Sequence, residues 1–188
     1  MISEALNKIR TDLFDAFEDL YNWMLVEDAM RNYKPADGGW TINEVLEHVS
    51  ITNHYLLILI RKAVPKAIKA ADKIDIGEKV ESYNLDETRL SPIGRHRSFY
   101  WHRPDHMVPT GKLSMVEVKS KLEEQLSNCL YYLDQLKNGE GVAYETTMTV
   151  NEIGKLDVYH YIWFLALHAK RHVDQMKKIR KEFAIIRM

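Results

Sequence analysis

This chain of 188 residues has few of the residues that cross-link or interrupt a fold, and almost no net charge. Cys129 is its only cysteine, which excludes an intramolecular disulfide and a thiolate-rich metal site. It has only 8 glycines and 5 prolines, so its composition is neither disordered nor repetitive. The formal net charge of -1 lacks the basic excess that nucleic-acid binders use against phosphates. We therefore expect no nucleic acid as a partner.

Long hydrophobic runs are also missing. Residues 55–60 form one of the longest runs, and it is far shorter than the roughly 20 residues that span a bilayer. Residues 1–8 mix charges with apolar residues and do not form the apolar block of a signal peptide. We therefore expect a cytoplasmic protein without a membrane partner, folded as one domain over residues 1–188.

Four stretches of the chain repeat apolar residues at the three- and four-residue spacing of an amphipathic helix. The first extends from Ser3 to Arg31. The second begins at Thr41, where a capping box with Glu44 marks a helix start, and Pro65 is expected to bend or stop it. The predicted buried stripe of this second helix comprises Ile42, Val45, Val49, Thr52, Leu56, Leu59 and Ala63.

The third and fourth helices carry start signals of their own. Ser114 and Glu117 form a second capping box, and residues 138–139 close the third helix. Cys129 falls on its buried stripe, which indicates a small core residue. Asp157 is the expected N-cap of the fourth helix, and residues 144–150 have the β-branched alternation of a short strand.

Four long amphipathic helices bury their apolar stripes most simply by packing them together, which predicts an all-α four-helix bundle. The connection from Pro65 to Lys112 is far longer than an antiparallel hairpin needs. Because it is long enough to return along the whole bundle, we expect a crossover that lets helix three run parallel to helix two.

Three histidines fall on the predicted buried faces. His168 and His172 lie one helical turn apart on helix four, close enough to bind one divalent ion. His48 lies on the stripe of helix two and supplies the third nitrogen ligand. A metal held by three nitrogens with an open position is the kind of site that activates water. The competing interpretation is that each histidine is a hydrogen-bonded core residue, which is the more frequent role of a lone histidine on an apolar face.

Two segments resemble the DinB/YfiT-like superfamily of four-helix metalloenzymes. They are residues 40–48 (WTINEVLEH) and residues 154–175, which run from GKLD to HAKRHVDQ. The resemblance implies an up-down-down-up bundle in which His48, His168 and His172 bind a divalent metal such as zinc or nickel.

The resemblance also implies a function. Some members of the superfamily transfer a low-molecular-weight thiol such as bacillithiol onto small electrophiles, others use mycothiol in an isomerisation, and others are described only as hydrolases or damage-inducible proteins. We therefore expect a metal-dependent S-transferase or hydrolase, and relatives often form homodimers. The alternative is a non-catalytic bundle that binds metal or a protein partner in a stress response, or one whose histidines no longer hold a metal.

Further residues could support this site. His160 could contact a ligand or substrate, although packing near the helix start explains it better. Arg171 and Gln175 flank the histidines and could hydrogen-bond them, while exposed ion pairing accounts for Arg171 equally well. Glu47 is expected to face outward, and no general base is identifiable.

A run of bases and aromatics, residues 95–103, lies in the long connection. Arg95, Arg97 and His102 could receive an anionic substrate or the carboxylates of a thiol cofactor if this segment lies over the mouth of the bundle. A groove for single-stranded nucleic acid and a solvated loop are the competing interpretations.

Overall fold

Four long helices form most of the structure, a computed structural model that describes residues 1–101 and 104–187. They are α1 (Ile2–Met24), α3 (Ile42–Ala71), α6 (Met115–Gln135) and α7 (Val158–Ile186). The shorter helices are α2 (Asp28–Arg31), α4 (Gly77–Glu81) and α5 (Glu87–Leu90), and the strands are β1 (Glu145–Met148) and β2 (Gly154–Asp157).

The predicted helix starts are confirmed. The Thr41 hydroxyl accepts from the backbone N–H of Glu44, and the Glu44 carboxylate accepts from the backbone N–H of Thr41 at 2.7 Å. Ser114 and Glu117 repeat this reciprocal pair at the start of α6. Asp157 caps α7 by accepting from the backbone N–H of His160. Each cap satisfies a backbone donor that the first helical turn leaves without a partner.

The long helices pack against one another around a single apolar core. Helix α7 contacts α1 and α3, and α6 contacts the same two helices. Most of the first half of α7 is buried, including the large side chains of Tyr159 and Phe164. This packing confirms a predominantly helical fold and places the interior of the protein along α7.

The first predicted helix is interrupted. Helix α1 ends at Met24, and the chain turns through Leu25, which is 82% exposed, before α2 begins. The Arg31 guanidinium donates to the backbone carbonyl of Met24 at 2.9 Å and so satisfies an acceptor at the end of α1. The helix stops where its apolar face leaves the core, although the sequence spacing continues to Arg31.

Helix α3 continues past Pro65 to Ala71, so the proline does not stop it. A proline in a helix removes one backbone hydrogen bond, but the buried side chains of Val64 and Ala67 pack into the core on either side of it. The predicted stripe is wrong at Leu59, which is 42% exposed, because Ile60 occupies the core instead.

The expected strand is confirmed as β1, but it does not stand alone. It pairs antiparallel with β2, from Glu145 opposite Asp157 to Met148 opposite Gly154. The fold is therefore not purely α-helical. Helix α6 ends at Gln135, three residues before the predicted stop, and Cys129 is fully buried as expected. None of the helices in the described part of the chain is both long enough and apolar enough to cross a bilayer.

Candidate metal centre

Three buried imidazoles meet between α3 and α7. His48 is 5% exposed, His168 is 2% exposed and His172 is 6% exposed. One nitrogen from each ring lies within 4.8 Å of the nitrogens of the other two. The single-turn spacing on α7 and the inward face of α3 thus bring together the three histidines that the sequence selects, as a group we call the histidine cluster.

Hydrogen bonds fix the orientation of two of these rings. Nδ1 of His48 donates to the backbone carbonyl of Met107 at 2.6 Å, and Nδ1 of His172 donates to Oε1 of Gln175 at 2.9 Å. Because Nδ1 carries the proton in both rings, the lone pair of each is on Nε2. Metal-binding histidines are oriented by the same kind of bond from the second ring nitrogen.

The third ring faces the second. Nε2 of His168 lies 3.0 Å from Nε2 of His172, and Nδ1 of His168 is buried without a hydrogen-bond partner in residues 1–101 and 104–187. Either a proton or a cation is needed between two nitrogens at that distance, since two lone pairs would repel each other. Imidazole is a preferred ligand of zinc and nickel, so the residues present fit a divalent ion of this type.

The surroundings favour the neutral form of His168 and His172. Burial holds the pKa of His168 well below its ordinary value, and the neighbouring His172 and His48 lower it further. Burial lowers the pKa of His172 in the same way, again with His48 acting in the same direction. Only a neutral imidazole offers a lone pair, so these rings are ready to bind a metal at neutral pH.

Aromatic rings surround the histidine cluster. The centroid of the Trp40 ring lies 4.6 Å from that of His48, and the Trp101 ring lies 5.5 Å from His168. Phe164, one turn before His168 on α7, stacks nearly parallel to it with an interplanar angle of 12°. These rings exclude water and lower the local dielectric, which strengthens electrostatic interactions inside the cluster.

Arg171 does not form the exposed ion pair considered from the sequence. It is buried, and its guanidinium donates to the backbone carbonyl of Arg95 and to the Ser98 hydroxyl. It also lies 5.0 Å from the Phe99 ring and 4.9 Å from the Trp101 ring. Arg171 therefore holds the segment that begins at Arg95 against α7, beside the cluster.

Glu47 corrects a second expectation, because it is 2% exposed and does not face outward. Its carboxylate accepts from the backbone N–H of Thr110 at 3.0 Å, from the Thr110 hydroxyl at 2.7 Å and from the backbone N–H of Gly111 at 2.8 Å. The long connection folds back over α3 and supplies these donors. These three bonds form a clamp on the same segment whose Met107 carbonyl accepts from His48.

The remaining predicted site residues differ in how close they lie to the cluster. His160 bonds to Asp157 at the start of α7, and none of its contacts in the described residues involves the cluster. The Arg97 guanidinium pairs with Asp37 at 2.9 Å, while the Arg95 side chain is exposed. His102 lies outside the described residues. Gln175 is placed beside the cluster by its contact with His172.

Sequence reasoning missed several parts of this environment. The Met107 carbonyl is a backbone group and leaves no signal in the sequence. His96 is also absent from the predicted site. Burial lowers its pKa to about 4, and the charges of Lys178 and Arg171 lower it further. Its Nδ1 has no hydrogen-bond partner among the described residues. Trp40 is visible in the sequence as the first residue of the motif at residues 40–48, and Trp101 as an aromatic residue of the basic run.

Cys129 plays no part in this centre. Burial raises the pKa of its thiol to about 12, so it carries no thiolate at neutral pH.

The helical fold and the histidine cluster place this chain among helical proteins in which imidazoles from two helices meet in the interior. The model of the DinB superfamily matches residues 5–176, so the chain belongs to the DinB superfamily. It is similar to an uncharacterized protein, YuaE, of Bacillus subtilis (strain 168), with 24% identity over 160 residues, which cover 84% of this chain and 87% of that protein. No solved structure gives a significant match.

Proposed function

We propose that this chain is a metal-dependent enzyme, an S-transferase that uses a low-molecular-weight thiol or else a hydrolase. His48, His168 and His172 hold the divalent metal, for which zinc or nickel is the expected identity. The observation that carries this proposal is the convergence of three buried imidazoles, two of which are oriented through Nδ1. A core histidine needs no such convergence, whereas a metal site does.

A bound divalent metal would act as a Lewis acid that lowers the pKa of a thiol or water at an open coordination position. The chain's own residues prepare for that chemistry. The Met107 carbonyl and the Gln175 side chain hold the protons of His48 and His172 on Nδ1. Trp40 and Trp101 exclude water on two sides of the cluster.

The finer architecture is part of the same proposal. The helices α1, α3, α6 and α7 are the four members of an up-down-down-up bundle in one domain, and the segment between α3 and α6 is its crossover. The contacts of α7 and of α6 with both α1 and α3 support this arrangement. We place the protein in the cytoplasm, as a homodimer whose substrates are a small electrophile and a thiol.

The transferase activity can be tested with a chosen thiol and electrophile. Zinc- or nickel-loaded protein is mixed with cysteine and 1-chloro-2,4-dinitrobenzene, and formation of the thioether is followed by absorbance. We expect the rate above background to disappear in His168→Ala and in chelator-treated protein, because both lose the metal. Lys177→Gln removes an exposed charge from the same helix and should retain the wild-type rate.

The hydrolase activity is tested in parallel with p-nitrophenyl acetate. Equal rates for wild type and His168→Ala with both substrate sets would contradict an enzymatic role for the cluster. If such protein still bound one metal ion per chain, the non-catalytic metal-binding bundle would be the correct alternative. Elemental analysis of protein purified without a histidine tag shows whether the site holds metal as isolated.

A further inference from the structure

A groove with a volume of about 530 Å³ separates α3 from α6 on a side of the molecule that the histidine cluster does not line. Its apolar walls include Leu57 and Ile58 of α3 and, from the segment before α6, Val108 and Leu113. Pockets for small molecules have volumes of about 300–1,000 Å³ and are mainly apolar with a few polar groups. The groove therefore has the size and character of a small-molecule site.

Two cations lie along this groove. Arg61 projects from α3 and Lys121 from α6, both exposed, and neither forms an ion pair within residues 1–101 and 104–187. Burial raises the pKa of Tyr132, and the Arg61 guanidinium opposes that rise, which places the cation of α3 beside a phenol of α6. The two positive charges are therefore available to a ligand between the helices.

The net charge of the residues that line the groove favours an anionic ligand. Glu124 is the one carboxylate among the lining residues, so with histidines counted as neutral the groove carries one net positive charge. A monoanion complements that charge, and guanidinium pairs especially well with carboxylate. A row of rings lies beside the apolar walls, with the Tyr55 centroid 4.4 Å from that of His106 and 5.4 Å from that of His54.

We propose that this groove binds a small amphipathic carboxylate, with its apolar body between α3 and α6 and its carboxylate at Arg61 and Lys121. The site is separate from the cluster but shares one segment with it. His106 and Val108 line the groove, while Met107 between them binds His48 through its backbone carbonyl. A ligand in the groove would thus contact the segment that orients a histidine of the cluster.

The test uses octanoate as the probe, measured by isothermal titration calorimetry on the full chain. We expect one octanoate per chain and about tenfold weaker binding when Arg61→Gln and Lys121→Gln are combined, because each change removes a charge-assisted hydrogen bond. Octylamine, which has the same apolar chain with a positive head, should give no measurable binding.

The control double variant combines Lys62→Gln and Lys119→Gln. Both lysines are exposed, lie on the same two helices and are not among the groove lining, so the variant has the same net charge without changing the site. Asn128→Trp fills the groove from α6 and should abolish binding while the helical circular dichroism signal is retained.

Any of four results overturns the proposal, and the first three concern octanoate. These are an octanoate Kd weaker than about 1 mM for the wild type, equal weakening in the two double variants, and undiminished binding by folded Asn128→Trp. Binding of octylamine as tight as that of octanoate would also overturn it, because charge would then play no part. The measurements need no metal and no catalytic assay, so they do not depend on the proposed function.

Discussion

Helix α7 carries His160 near its start and His168 and His172 further along, and these buried histidines differ in how their ring nitrogens are hydrogen-bonded. At its start, His160 has a partner at both ring nitrogens: Nδ1 contacts the Asp157 carboxylate at 2.8 Å and the Tyr83 hydroxyl at 3.1 Å, and Nε2 accepts from the backbone N–H of Asp86 at 3.0 Å. Two turns later, His168 and His172 turn their Nε2 atoms toward each other.

The difference separates a histidine that holds the fold together from one that is available for chemistry. His160 is fully hydrogen-bonded by the protein, so it joins the start of α7 to the loop before α5 and has no lone pair left for a ligand. In the cluster, the bond from His172 to Gln175 uses only Nδ1 and leaves Nε2 directed toward His168. Burial alone does not distinguish the groups, because all of these rings are nearly inaccessible.

The largest expected effect is on metal binding. His168→Ala removes one of three nitrogen ligands and should weaken zinc affinity more than about 100-fold, which exceeds the usual effect of losing an outer hydrogen-bond partner. His160→Ala should leave zinc affinity within about threefold of the wild type, because its contacts do not reach the cluster. Competition with a chromophoric zinc chelator measures both variants.

Circular dichroism of each variant serves as the control for folding. If folded His160→Ala lost zinc to the same extent as folded His168→Ala, the two groups would not be functionally distinct.

The second prediction concerns stability, for which we expect His160→Ala to have a larger effect than His168→Ala. His160→Ala leaves the Asp86 N–H without a partner, removes one hydrogen bond from the buried Asp157 carboxylate and creates a cavity. We expect the free energy of unfolding to fall by about 2–4 kcal/mol. Urea unfolding of the metal-free protein measures this loss, and His160→Gln should recover part of it if a donor or acceptor is what the site needs.

A third prediction addresses the clamp at Glu47. Glu47→Gln replaces an acceptor-only carboxylate, which receives three hydrogen bonds, with an amide that can accept at one atom only. The Met107 carbonyl should then be held less firmly against His48, and zinc affinity should fall about tenfold.

The matched control is Glu123→Gln, which removes an exposed carboxylate paired with Lys119 and should not alter zinc affinity. An unchanged affinity in Glu47→Gln would mean that the clamp does not act on the cluster.

The sequence predicts the elements that depend on local signals. Thr41, Ser114 and Asp157 mark helix starts because a cap is a bond between neighbours in the chain. The buried positions of His48, His168 and His172 follow from helical periodicity in the same way. Periodicity within one helix does not predict that these three side chains meet, because they lie on two helices. The resemblance to the family motifs supplied that expectation.

What escaped the sequence depends on contacts between distant segments. Glu47 is buried because residues 110–111, more than 60 positions later, supply its donors. Helix α3 continues past Pro65 because the core on both sides of it outweighs one lost hydrogen bond. Arg171 is buried because the connection places a carbonyl and two aromatic rings over it. None of these partners can be identified from local spacing.

The smallest expected effect is the contribution of the cluster to the pH dependence of the free energy of unfolding. The pKa values of His168 and His172 lie well below the ordinary value in the folded protein, whereas an unfolded histidine takes up a proton near pH 6.5. Between these two limits the unfolded state binds more protons than the folded state. The free energy of unfolding must therefore fall as the pH drops through about 6.5, with a slope for each such imidazole that approaches about 1.4 kcal/mol per pH unit at lower pH.

His168→Gln removes one of these groups, so its free energy of unfolding should fall by about 1 kcal/mol less than that of the wild type between pH 6.5 and 5.5. Urea unfolding in the presence of a chelator at several pH values measures the two slopes. Every other titrating group, His160 included, is common to both proteins, so the difference reports His168 together with its effect on His172. Parallel slopes would show that the cluster is already protonated when folded, and the lone pairs that a metal needs would then be occupied by protons.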